Sequence, residues 1–126
     1  GFSPATRAEG VTPAADPHLP QPLWFKDYAV DVEQADPDSM LALYRAALAI
    51  RQESLTATRD TTAEQVDMGD DVVAYTRAAV GGRVFTSITN FGNAPVALPD
   101  GSVVLASGPL TPEGQLPTDT SAWVIK

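Results

Sequence analysis

The sequence predicts a mainly β fold with one long helix: an irregular proline-rich lead, then the helix, then a small antiparallel β-sandwich. Three observations carry that expectation. Prolines crowd the first 35 residues, at Pro4, Pro13, Pro17, Pro20 and Pro22. Between residues 36 and 55 the apolar residues follow a helical pattern. After residue 63 they alternate instead, the period of a strand with one face covered. No helical spacer separates the later segments, so their strands should pair antiparallel.

The lead, residues 1–36, reads as irregular, because proline fixes φ and removes a backbone donor. Within it "LPQPLWFKDYAV" gathers Leu19, Leu23, Trp24, Phe25, Tyr28 and Val30, a cluster that needs a surface to pack on. The helix is expected over residues 37–55. Asp36 is the predicted N-cap, Pro37 suits the first helical position, and Asp38 favours the positive helix end. "DPDSMLALYRAALAIR" is apolar on almost every side, with Leu41, Tyr44 and Leu48 on one face and Met40, Leu43, Ala47 and Ile50 on another. A surface helix normally shows a single apolar stripe, so this one is expected to be covered on more than one side.

Residues 56–126 form the expected β domain. Six strands are predicted: "EQVDM", "VVAYTRAAV", "RVFTSITNF", "PVAL", "SVVLAS" and "SAWVIK". Turn residues at "MGDD", "GG" (81 and 82), "FGNAP" and "PDGS" separate them. Residues 64–126 should be the stable core of the chain.

Composition narrows the function classes. The net charge of −8 disfavours nucleic acid and anionic membranes, which call for clustered Lys and Arg. No apolar run is long enough to span a bilayer, and "GFSPATRAEG" has neither the basic start nor the apolar stretch of a signal peptide. The chain begins with Gly1, so a piece of a longer protein is expected. There is no cysteine, which excludes disulfides and thiolate metal sites and fits a cytoplasmic location.

No catalytic set emerges. His18 is the single histidine and no G-x-S-x-G elbow is present, so nucleophilic triads fail. Glu64, Asp67, Asp70 and Asp71 gather near one turn but lack calcium-loop spacing, so no metal and no cofactor are expected. Asp70 with Asp71, and Asp36 with Asp38, are explained by a turn and a helix start rather than by acid–base work. His18 and Trp24 remain as weak candidates for contact with a substrate. Trp123, in a strand, reads as packing.

The order of segments carries a resemblance. "GF" and a proline-rich stretch followed by "LPQPLWFKDYAVDVEQADPDSMLALYRAALAIRQE" resembles the end of the catalytic barrel in α-glucosidases of glycoside hydrolase family 13, the α-amylase family. "GDDVVAYTR", "TNFGNAPVALPDG", "VLASGPL" and "LPTDTSAWV" resemble the C-terminal β domain, domain C, of bacterial members. The resemblance implies a loop of the (β/α)₈ barrel over 1–36, the last barrel helix over 37–55, and domain C over 56–126. It implies retaining hydrolysis of α-glucosidic bonds by the parent enzyme. The Asp nucleophile, Glu acid/base and second Asp would lie before this region, so none maps onto this chain. Pro17-His18 stands where related sequences usually show Pro-Trp. The partners implied are the missing barrel and an α-glucoside oligosaccharide. Competing expectations are a trehalose-forming or glucosyl-transferring member of the family, a stand-alone carbohydrate-binding module using Trp24, and a β domain without a ligand.

Overall fold

The computed structural model describes residues 22–126 except 57 and 60, and the side chains of all of these but Leu23 and Lys26. The described residues divide into two compact units that part between Ala46 and Ala47. In the first, a 3-10 helix at Leu23–Tyr28 precedes a short helix, α1, at Val30–Ala35. The lead is therefore not irregular throughout. Proline ends at Pro22, and the six residues of α1 are free to close helical turns.

The long helix, α2, runs from Met40 to Leu55. It starts three residues later than 37, and Asp36 is not its cap. The Asp36 carboxylate accepts from the Asp38 amide at 2.9 Å, and the Asp36 carbonyl accepts from the Ser39 amide at 3.2 Å. Those bonds shape a turn over 36–39, as short polar side chains next to proline commonly do. Ser39 is the cap: its Oγ accepts from the Ala42 amide at 3.2 Å and donates to the Glu33 carbonyl at 2.7 Å. Past the helix end, Thr58 donates through both its amide and its hydroxyl to the Leu55 carbonyl. The Thr58 hydroxyl also accepts from Arg77 Nη2 at 3.4 Å, tying the helix exit to a strand of the sheet.

The second unit holds a five-stranded antiparallel sheet. Its strands are β1 (Glu64–Val66), β2 (Val72–Ala78), β3 (Val84–Asn90), β4 (Ser102–Ala106) and β5 (Thr120–Ile125). The order across the sheet is β1-β2-β3-β5-β4, so the last strand inserts between β3 and β4. Two tight connections fall where expected. Gly69, at φ +107, turns the chain between β1 and β2, and Gly81 and Gly82, at φ +77 and +75, turn it between β2 and β3. Positive φ is where glycine alone is free of strain.

"PVAL" is not a strand of the sheet. Val96 makes only an isolated bridge to Leu116, with mutual amide–carbonyl bonds of 3.0 and 2.8 Å. Pro95 beside it has no amide to extend a ladder. The bridge joins the two long connections, 91–101 and 107–119, into a thin second layer. Leu116 is fully buried with Val72, Ala74, Ile88 and Ala122, while Val96, Leu98, Leu110, Val66, Met68 and Ala106 pack around them. The core thus lies between one sheet face and its own connections. On the opposite face the registers put Val73, Tyr75, Phe85 and Trp123. Phe85 is buried and meets Trp123 edge-on at 5.2 Å, whereas Val73 and Tyr75 are exposed.

Candidate functional site

The most distinctive surface lies on α2. Its only buried residue is Ser54. Leu43, Ala47 and Ile50 are half-buried and share a face with Ser54, following the i, i+4, i+7, i+11 spacing of a helix. Met40, Tyr44 and Leu48, four residues apart in turn, form another stripe and are 58%, 64% and 59% exposed. The expected grouping therefore changes at two positions. Met40 joins the exposed face, and Leu41, expected beside Tyr44 and Leu48, is half-buried. The cause is rotational: with Ser54 inward, positions 40, 44 and 48 turn outward.

Such a stripe has no stabilising role in water. Three large apolar side chains in a row, about 12 Å end to end at 1.5 Å per residue, are what a docking helix presents to a partner. Arg45, Arg51, Gln52 and Glu53 are also exposed, so the stripe has a polar border.

Trp24 lies in the first unit, 57% exposed. Phe25 meets it at 4.5 Å and Tyr28 at 5.8 Å, with rings near perpendicular, 81° and 87°. These are edge-to-face contacts, a favourable packing geometry. They do not make the coplanar platform on which a sugar ring would stack across two aromatic residues. His18 lies outside the described residues. The structure thus gives Trp24 two aromatic neighbours in edge-to-face contact.

Of the acidic residues near the first hairpin, Asp67 serves the turn: its carboxylate accepts from the Gly69 amide at 3.1 Å. The Asp71 main-chain carbonyl accepts from the Phe91 amide at 2.8 Å. Among the described residues no group of three or more His, Asp or Glu is placed to hold a metal ion. Among them also, no helix is long and apolar enough to cross a membrane.

One residue escaped the sequence reading. Asn90 is fully buried at the end of β3. Its side-chain amide donates to the Ala94 carbonyl at 2.9 Å and the Leu116 carbonyl at 3.1 Å, and its side-chain oxygen accepts from the Gly92 amide at 2.9 Å. It folds the "FGNAP" turn and holds the second layer to the sheet. Thr118 reinforces this by donating to the Gly92 carbonyl. The available signal was an Asn two residues before a glycine, which marks a turn but not its burial.

The described residues thus give a long helix with an outward apolar stripe, followed in sequence by a five-stranded antiparallel sheet. Neither a protein-family model nor a curated protein matches the chain. Solved structures do. The trehalulose synthase MutB from Pseudomonas mesoacidophila MX-45 is similar over 92% of this chain and 23% of its own, at 25% identity and a TM-score of 0.68. The isomaltulose synthase SmuA from Protaminobacter rubrum is similar over 89% of this chain and 22% of its own, at 22% identity and a TM-score of 0.68. The trehalose-6-phosphate hydrolase of Bacillus licheniformis covers the same shares, at 20% identity and a TM-score of 0.69. These last two likenesses concern the fold. The chain spans less than a quarter of the length of each of these enzymes. It is similar to a C-terminal portion of glycoside hydrolase family 13 enzymes.

Proposed function

We propose that this chain is the C-terminal structural portion of a family 13 α-glucosidase. It docks on a (β/α)₈ barrel that carries the nucleophile and the acid/base. The observation that carries the reading is the exposed stripe Met40–Tyr44–Leu48 on a helix that opens a compact β unit. The barrel would cover that stripe, and the β unit would close the end of the enzyme. The parent would act on terminal α-linked glucose of oligosaccharides in the cytoplasm, with Trp24, in the segment that precedes α2, at the cleft mouth. Segments between the last strand and the last helix of a barrel lie at its C-terminal face, where active sites are built.

A second reading, a glucosyl-transferring member of the same family, is favoured by the likeness to trehalulose and isomaltulose synthases. The gene product that contains this chain, purified whole, separates the two. Supplied with maltose, isomaltose, trehalose and sucrose in turn, an α-glucosidase releases free glucose as the main product. A transferring enzyme returns mainly a new disaccharide. No turnover of any of the four would overturn both readings.

A further inference from the structure

We propose that Asp100–Gly101 is a site of spontaneous main-chain modification, at which aspartate converts through a cyclic imide to isoaspartate. The pair is the one Asp-Gly in the sequence. It forms the bend that leads into the edge strand β4. Asp100 is exposed, and its carboxylate meets Lys126 Nζ at 3.3 Å, with both side chains largely in solvent. An ion pair in that setting contributes little, so it does not fasten the carboxyl away from its own main chain. Gly101 follows with φ +142, exposed to solvent and with no side chain of its own beside its nitrogen.

The chemistry is internal and balanced. The Gly101 amide nitrogen bonds to the Asp100 side-chain carbonyl carbon. The carbon–hydroxyl bond breaks, and water departs with the amide proton. The product is a five-membered succinimide. Water then adds to either ring carbonyl. Opening at the side-chain carbonyl restores Asp100. Opening at the main-chain carbonyl leaves the chain running through the former side chain, which inserts one methylene into the backbone. No oxidant or cofactor takes part, and the net mass is unchanged.

The surroundings give that insertion a consequence. An ideal Cβ on Gly101 would lie 2.7 Å from the Ile125 carbonyl oxygen and 2.8 Å from Val124 Cγ1. Gly101 thus lies close against β5 beside the Ser102–Ile125 pair, and a methylene added to the main chain at position 100 shifts that register. Isoaspartate at position 100 therefore loosens the start of β4 against β5.

The test is ageing of the full chain at 37 °C and neutral pH, with samples labelled by an isoaspartyl methyltransferase and peptide-mapped. Label that rises with time and maps to position 100 is expected, and Asp100→Glu, which cannot close the same ring, loses it. Asp100→Asn forms the ring faster, by loss of ammonia, and gains label sooner. Absence of label in aged wild type, or label that persists in Asp100→Glu, overturns the proposal. Hydrogen exchange reads the second half: the amides of Ser102–Ala106 exchange faster in aged protein. Unchanged exchange in labelled protein overturns the loosening of β4.

Discussion

Asn90 joins three pieces of the β unit through one side chain: the end of β3, the turn at Gly92–Ala94, and the Leu116 bridge. Replacing it with Ala leaves the buried Leu116 carbonyl, the Ala94 carbonyl and the Gly92 amide without that partner. Asn90→Ala should cost about 3 kcal/mol, at the upper end for single substitutions, because each orphaned group costs about 1–3 kcal/mol. Urea unfolding would read it as a lower midpoint with an unchanged slope. Asn90→Asp should do no better, since it keeps the acceptor for Gly92 but offers the carbonyls of Ala94 and Leu116 no donor. At the helix start, Ser39→Ala should cost about 1 kcal/mol, the usual value of a lost N-cap, and Asp36→Ala should cost less. The reverse order in thermal melts would return the cap to Asp36. That position illustrates a limit of local reading. Asp-Pro-Asp-Ser contains three residues that cap well, and only the turn made by Asp36 fixes which one meets the first helical amides. Asn90 was illegible for a related reason: its partners lie up to 26 residues away, beyond any local pattern.

At the scale of the element, α2 was legible as a helix and illegible in its rotation. An apolar residue on nearly every side gives a weak angular preference, so sequence alone could not say which residues face out. The structure turns Met40, Tyr44 and Leu48 outward. Covering about 500 Å² of such surface would contribute on the order of 12 kcal/mol before entropy and docking costs, at about 25 cal/mol per Å². That gross value rivals the stability of a whole domain. The isolated chain should therefore bind a hydrophobic dye or self-associate, and the triple variant Met40→Gln, Tyr44→Gln, Leu48→Gln should do neither. Equal dye binding by both would place the sticky surface elsewhere. The strands were more legible, because one covered face imposes alternation that is visible in β2 and β3. "PVAL" shared that alternation yet forms only a bridge, since alternation reports one covered face and not membership of a sheet.

For the whole molecule, the strand order was out of reach. β5 pairs with β3 across a 29-residue gap, and nothing in a local pattern puts β5 rather than β4 beside β3. The likeness to family 13 enzymes was legible through the order of segments rather than through a constellation of residues. The purified chain should not turn over a chromogenic α-glucoside, because the Asp nucleophile and Glu acid/base that the resemblance implies do not map onto it. Turnover above a buffer blank that survives repurification would contradict that.

The most direct test of the central claim, that this chain completes a family 13 enzyme, is the coding sequence upstream of Gly1. The expected result is an open frame that continues into a (β/α)₈ barrel with an Asp nucleophile, a Glu acid/base and a second Asp at strand ends. An in-frame stop followed by a start codon immediately before this chain, with no barrel encoded, would contradict it.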